Sequence, residues 1–431
     1  MKISVIGAGY VGLVTAAIFS DLGNEVSCIE VSEKRLAMLN AGEVPFSEPL
    51  LPEFIARNKK EGRLNFTKSY KDAIPDSDIV FICVGTPPAE NGEADLTFLF
   101  SALEDTAKNL KKDTVIVIKS TFPIGFEKKL EEVVRKYSKV EFEFAACPEF
   151  LREGTALEDA QNPDRIVIGT SSKKAQKILL ELHAPLSGQR ITCDMRSAQL
   201  IKYASNSFLA TKVSFANALA TICEKVGADV EKVILGVGTD KRIGTAFFKP
   251  GIGYGGSCLP KDVLAFIAQA NHFGYDFNLL KSVDEINKLQ ITNFIEKICS
   301  ALKITNEKLE GVNLAILGLA FKPGTDDMRD APSLKVINRL LSLGAKITVY
   351  DPSAMENAKN ILKGVNFAKD IYQASKEKDA LIVITEWDEF KQADLVKIKR
   401  ILKKPIIIDG RNIYDKEKMT ELGFHYFSVG R

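Results

Sequence analysis

The chain has 431 residues, 45% of them hydrophobic and 26% charged, which is room for two or three domains with sizeable cores. A formal charge of +2 gives no field to draw in nucleic acid or an anionic membrane, so an anionic ligand needs local basic residues. The seven cysteines are scattered without a CxxC pair and there are only three histidines, so neither a disulfide framework nor a metal site is expected.

Residues 2–6 (Lys-Ile-Ser-Val-Ile) read as a buried parallel strand. Gly7-Ala8-Gly9-Tyr10-Val11-Gly12 follows, then an apolar helix through Phe19, then a strand over 26–30 that ends in Glu30, 18 residues after Gly12. The apolar N-terminus therefore reads as strand, turn and helix rather than a secretory leader. No apolar run reaches membrane-spanning length, and a cytoplasmic location is the expectation. The order strand, glycine turn, helix, strand, acid is the dinucleotide fingerprint. Gly7 permits the tight turn, Gly9 lets a pyrophosphate approach, and Gly12 lets the helix pack on the strand; the helix N-terminus faces the pyrophosphate. Glu30 accepts from ribose hydroxyls and repels a 2′-phosphate, which favours NAD over NADP. Arg35 is a counter-signal, read as a neighbour of the adenosine ribose. Further strands are expected over 79–84, 114–119, 144–147 and 165–169. Thr86 and Thr121 follow two of these strand ends, so each is a candidate cofactor contact and equally a turn or cap hydroxyl. In the segment 148–154, Glu149 and Glu153 would share a face if it forms a helical turn; they are acid/base candidates, with surface carboxylates as the alternative.

A proline-free helix is expected from Arg196 to about Val226, long enough to link two domains and to pack against a symmetry mate. Lys202 and Asn206 lie four apart on it and share a face, a solvated lysine being the plain alternative. Arg242 and then Phe247-Phe248-Lys249-Pro250-Gly251 lead into residues 253–262, Gly-Tyr-Gly-Gly-Ser-Cys-Leu-Pro-Lys-Asp. Its glycines let backbone approach a ligand closely, and a thiolate near a cation is a better-populated nucleophile. The alternative is a glycine-rich turn with Cys258 as a small buried hydrophobe. Helices are expected to about 303. Strand–helix alternation then restarts, with strands over 312–318, 347–352, 380–385 and 405–409 and a helix over 333–343. This second unit lacks a full glycine fingerprint. Its loops carry Lys322, Arg329 and Arg411, which suit a phosphate-bearing ligand. The expected fold is α/β, two Rossmann-like doubly wound domains joined by a long central helix. Its parts are an NAD-binding domain at 1–195, a helical and dimerisation domain carrying Cys258 at 196–305, and a nucleotide-sugar-binding domain at 306–431.

With these motifs in order the chain resembles the UDP-glucose/GDP-mannose dehydrogenase family nearly end to end. The match covers the N-terminal fingerprint, Val84-Gly85-Thr86-Pro87, Lys119-Ser120-Thr121, the 148–154 segment, Lys202 with Asn206, residues 253–262, residues 321–330 and Asp409-Gly410-Arg411. Cys147 before Pro148 and Leu259 after Cys258 depart from the common pattern. The resemblance implies oxidation of the primary alcohol of UDP-glucose to the carboxylate of UDP-glucuronate with two NAD⁺, GDP-mannose or a UDP-N-acetylhexosamine being the alternative substrates. It implies that Cys258 forms a thiohemiacetal and then a thioester, that Lys202 stabilises an oxyanion with help from Asn206, and that Asp262 is a candidate base. Thr121 and Glu149 would position water. Tyr10, Val11, Glu153, Lys261 and Arg329 join the cofactor contacts. Glu149, Phe150, Leu151, Arg152, Glu153, Lys202, Asn206, Arg242, Phe247, Phe248, Lys249, Pro250, Gly251, Gly255, Lys322 and Arg411 would bind the nucleotide sugar. A homodimer or larger homo-oligomer is expected. A non-catalytic nucleotide-binding module would not need the thiol, lysine and carboxylates together, and a β-hydroxyacid dehydrogenase would lack both the cysteine and the second Rossmann-like unit.

Overall fold

The computed structural model describes residues 1–89, 92–305 and 308–431, and the chain divides into two compact units, Met1–Ser205 and Asn206–Arg431. The first is built on eight strands: β1 (Lys2–Ile6), β2 (Glu25–Ile29), β3 (Leu64–Thr67), β4 (Ile79–Ile82), β5 (Thr114–Ile118), β6 (Phe142–Ala146), β7 (Arg165–Gly169) and β8 (Gln189–Cys193). They form one sheet in the order β3-β2-β1-β4-β5-β6-β7-β8. Every pair is parallel except β6 with β7, which meet antiparallel at Ala146 and Gly169. The first six strands have the doubly wound order in which the crevice opens where the chain reverses direction, at β1 and β4. β4 and β5, Ile-Val-Phe-Ile and Thr-Val-Ile-Val-Ile, are buried at every position. Such β-branched runs suit a strand covered on both faces.

Several expected ends move. The second strand stops at Ile29, so Glu30 is the first residue beyond it; the third and fourth stop at Ile82 and Ile118; the fifth begins earlier, at Phe142. Strands β3 and β8 add to those expected from sequence, because their half-exposed, partly polar residues carry little hydrophobic signal.

A 32-residue helix, Met195–Val226, supplies the last residues of the first unit and the first of the second. The second unit continues with helices Val230–Gly238, Leu259–His272 and Asn278–Ala301. Its strands are β9 (Asn313–Leu317), β10 (Lys346–Tyr350), β11 (Val365–Phe367), β12 (Ala380–Val383), β13 (Ile406–Asp409) and β14 (His425–Ser428). They are all parallel in the order β11-β10-β9-β12-β13-β14, the same winding as the first six strands of the larger sheet. The core of this unit joins sheet and helices: Phe294, Ile295 and Ile298 pack with Ile252, Leu314, Ile316 and Val336. Among the described residues no helix is long and apolar enough to cross a membrane, and no cluster of three metal-ligating side chains occurs.

Candidate active site

In the fingerprint turn the three glycines do different things. Gly7 has φ +94°, and a Cβ there would lie 2.9 Å from the Cys83 carbonyl oxygen. A Cβ on Gly12 would overlap the Gly7 carbonyl oxygen at 1.8 Å, so helix Tyr10–Asp21 sits directly on the turn. A Cβ on Gly9 would meet nothing within 4 Å, and no side chain caps the helix there. The turn is closed on the protein at Gly7 and Gly12 and open at Gly9, as a pyrophosphate cradle needs. Glu30 is buried and accepts the Ala8 N–H at 3.2 Å and the Ser32 N–H at 2.8 Å. Each of its oxygens keeps a lone pair for a ribose hydroxyl. These residues fit NAD. Val11 is half-buried at the start of the helix. Arg35 is exposed on helix Glu33–Ala41. Thr86 is buried after β4, and Thr121 is half-buried after β5. It is Ser120, not Thr121, that ties these two loops, donating to the Val84 carbonyl at 2.6 Å. Gln199 holds the second loop by accepting the Phe122 N–H at 3.3 Å.

The segment after β6 is irregular from Cys147 until the helix Ala156–Gln161. Glu149 and Glu153 therefore do not share a helical face. Gly154 at φ +83° and the Glu149 carboxylate, which takes the Leu151 N–H at 2.6 Å, hold the backbone in a turn instead. The other Glu149 oxygen accepts from Lys202 Nζ at 2.8 Å, and the same ammonium reaches the Glu149 carbonyl at 2.6 Å. Lys202 is only 3% exposed. Burial pushes the Glu149 carboxyl up, but Lys202, the Leu151 N–H and Lys119 together outweigh it and hold the group below its ordinary value. The lysine is thus a buried counter-ion rather than a solvated side chain. Phe150 has the Arg165 guanidinium 3.8 Å from its ring centre. Arg152 is paired with Asp159 at 2.5 Å.

In the second unit Asp262 is 1% exposed. It accepts from Asn206 Nδ2 at 2.6 Å and from Lys261 Nζ at 2.6 Å, and its N–H donates to the Cys258 carbonyl at 2.8 Å. Cys258 occupies the N-cap of helix Leu259–His272, which has no side-chain cap, so the positive end of the helix lies beside the sulfur. It is the one exposed cysteine of the seven, which removes the buried-hydrophobe reading. Burial instead pushes the Cys83 and Cys147 thiols up to about 12, so they are inert by comparison. Ser257 Oγ lies 3.5 Å from the Cys258 sulfur.

The glycines before Cys258 pack on protein. A Cβ on Gly253 would meet Asn287 Oδ1 at 2.5 Å, one on Gly255 the Asp330 carbonyl at 2.3 Å, and one on Gly256 the Phe321 ring at 2.7 Å. Asn287 brackets Tyr254, accepting its N–H at 2.8 Å and donating to its carbonyl at 3.1 Å. Asn217 accepts the Gly251 N–H at 2.8 Å. Arg411 donates to the Gly253 carbonyl at 3.2 Å and the Ile384 carbonyl at 2.8 Å, so part of its guanidinium supports this loop. Phe248 is 2% exposed and belongs to the core, stacked on Phe215, whereas Phe247 and Lys249 are exposed and Pro250 is buried. Arg242 pairs with Asp240 and Arg329 with Asp327, both on the surface; Lys322 is half-buried beside the Phe321 ring. Sequence reading missed Gln199, Asn217 and Asn287, whose partners are distant backbone groups, and the buried Glu48, a lone acid between Ser47 and Pro49.

Fold and site together define an oxidoreductase class: a dinucleotide fingerprint on one doubly wound sheet, a second such sheet, and an exposed thiol at a helix N-terminus. The family model for UDP-glucose/GDP-mannose dehydrogenases matches in three parts, its NAD binding domain over residues 1–187, its central domain over 196–289 and its UDP binding domain over 315–416. The chain is 45% identical to the UDP-glucose 6-dehydrogenase TuaD of Bacillus subtilis (strain 168), covering 100% of this chain and 93% of that protein. It is 43% identical to a UDP-glucose 6-dehydrogenase of Rhizobium meliloti (strain 1021), with 100% of both covered. The solved structure of a UDP-glucose dehydrogenase from Pyrobaculum islandicum matches with a TM-score of 0.93 at 36% identity, covering 99% of this chain and 97% of that one. The chain belongs to the UDP-glucose/GDP-mannose dehydrogenase family and is an NAD-dependent nucleotide-sugar dehydrogenase.

Proposed function

We propose that the protein oxidises UDP-glucose to UDP-glucuronate. The observation that carries this reading is full-length identity of 45% and 43% to proteins named UDP-glucose 6-dehydrogenase. GDP-mannose and UDP-N-acetylhexosamines are the competing substrates.

Bound NAD⁺ supplies the hydride acceptor for each two-electron oxidation. Gly7, Gly9, Tyr10, Val11, Gly12, Glu30, Arg35, Thr86 and Thr121 would hold it, with Glu153, Lys261 and Arg329 as further contacts. Once the C6 alcohol is an aldehyde, the Cys258 sulfur adds to C6 and gives a thiohemiacetal. The second oxidation makes a thioester, and water cleaves the C–S bond, releasing the carboxylate and the thiol. A covalent acyl intermediate keeps the aldehyde from leaving before the second oxidation. Lys202 supplies positive charge to the oxygen that becomes negative at C6, with Asn206 beside it. Asp262 is the candidate base for the alcohol, and Glu149, held ionised, positions or activates the hydrolytic water with Thr121. Phe150, Leu151, Arg152, Phe247, Phe248, Lys249, Pro250, Gly251, Gly255, Lys322, Arg411 and Arg242 are the remaining proposed substrate contacts. For Phe248 the contact would be through backbone, since its ring is in the core. The proposed division of labour is cofactor binding over 1–195, the thiol over 196–305 and nucleotide-sugar binding over 306–431.

The test is a stoichiometry. With a panel of nucleotide sugars, NADH formed per sugar consumed should be two for UDP-glucose, with a carboxylate product; a ratio of one overturns the reading. Cys258→Ala should lower complete turnover on the order of a thousandfold or more.

A further inference from the structure

Glu48 lies in the loop between helices Glu33–Ala41 and Leu51–Lys60 and is 4% exposed. A buried carboxylate is costly unless its oxygens are occupied. One Glu48 oxygen accepts from the Tyr10 hydroxyl and from the Gly154 N–H at 2.7 Å; the other accepts the Leu157 N–H at 3.3 Å. The Gly154 N–H also reaches the Tyr10 hydroxyl oxygen at 2.8 Å, which closes a three-membered network. The Tyr10 ring is fixed from its side by stacking on Phe46, 4.4 Å between centres.

The two segments tied together are those the reaction needs in register. Tyr10 opens the helix that follows the open glycine, Gly9. Gly154 lies near the end of the irregular segment that begins at Cys147 and carries Glu149 and Glu153. That segment has no helix or strand ladder of its own, so beyond the backbone bond at Cys147 side-chain bonds help to set its position. Elsewhere it is fastened by the Cys147 N–H to the Ile118 carbonyl at 3.0 Å, by Lys202 to the Glu149 carbonyl and carboxylate, by Glu149 to Leu151 and by Asp159 to the Arg152 N–H, 2.8 Å.

We propose that Glu48 is a positioning residue that couples the cofactor turn to the Glu149 segment through Tyr10 and Gly154. It touches no substrate atom. It makes the geometry of the fingerprint and of the carboxylate loop interdependent, so cofactor affinity is set partly by a side chain outside the fingerprint. The inference rests on the NAD-dependent dehydrogenase reading and not on the identity of the sugar.

The test is a double-mutant cycle with Glu48→Gln and Tyr10→Phe, reading the Kd for NAD⁺ and, separately, for UDP by calorimetry. Glu48→Gln keeps shape but loses one acceptor oxygen; Tyr10→Phe keeps the ring stack and loses the hydroxyl. Each should weaken NAD⁺ about tenfold, the ratio of one charge-assisted hydrogen bond. The double variant should be little worse than either single one, and UDP affinity should not change. Additive losses, or equal losses for NAD⁺ and UDP, would show a purely structural role and overturn the proposal, as would unchanged NAD⁺ affinity in a folded Glu48→Gln protein. If the wild type leaves UDP-glucose unoxidised while the cycle is non-additive, the substrate reading fails and this one stands.

Discussion

Glu149 and Lys202 are a buried pair 2.8 Å apart, their side chains 11% and 4% exposed. Removing one member of such a pair leaves an uncompensated charge and costs about 3–5 kcal/mol. Lys202→Met should therefore lose unfolding free energy in that range, read from urea curves, beyond its effect on turnover. The pH dependence follows from the sign of the Glu149 shift. Its folded carboxyl is held below the ordinary 4.5, so its stabilisation is present above that pH and is lost as the pH falls below it. Without Lys202 burial dominates, the carboxyl moves up, and acid unfolding should begin at a higher pH. In Lys202→Met/Glu149→Leu the stranded charge is gone, and much of the stability should return while activity does not. Unfolding of Lys202→Met at the wild-type urea concentration would show that the pair is not the buried charge described above.

At the level of elements, helix Lys173–Leu182 ends at His183, which is 4% exposed. Its Nδ1 lies 2.7 Å from the Leu179 carbonyl, and its ring meets Phe19 edge-on at 5.3 Å. Burial lowers its pKa from 6.5 to about 4, so the folded protein keeps it neutral. The unfolded chain takes up the proton first as the pH falls, so stability is full above 6.5 and is lost progressively down to about 4. The loss is on the order of 3 kcal/mol. His183→Gln should be less stable than wild type at pH 7.5 and draw level with it or overtake it at pH 5, read from urea midpoints at both; parallel curves would contradict this. The long helix and the strands buried on both faces were legible because their patterns are local. The short edge strands β3 and β11 were not, being four and three residues of mixed polarity. The glycines show the same limit. Their spacing says that side-chain bulk is excluded but not by what: Gly9 faces open space, while Gly255 and Gly256 face Asp330 and Phe321. Glu48 and Asn287 were illegible because their partners lie 106 and 33 residues away. The exposed thiol and the buried carboxylate beside it were legible because Cys258, Lys261 and Asp262 are neighbours in the chain.

For the whole molecule the open property is assembly. On helix Met195–Val226, Phe208, Phe215 and Ile222 are 66%, 54% and 55% exposed and follow each other at seven-residue intervals, with Val226 at 70% beyond them. A seven-residue apolar repeat on a solvent-facing helix is a seam for another helix. Burying each such side chain contributes about 1.5–3 kcal/mol. A two-fold axis lets one copy of the seam satisfy the other, the commonest arrangement for soluble oligomers. We therefore expect a homodimer or a multiple of it. Phe208 and Ile222 are the residues to change, because Phe215 also stacks on Phe248 of the core. Phe208→Glu/Ile222→Glu places like charges along the seam and should give a folded protein with the mass of one chain by light scattering. Phe273→Ser removes an aromatic that is 62% exposed and lies off that helix, and should leave the wild-type mass unchanged. A wild type that already scatters as one chain at micromolar concentration, or a double variant that keeps its oligomeric mass, would refute the seam.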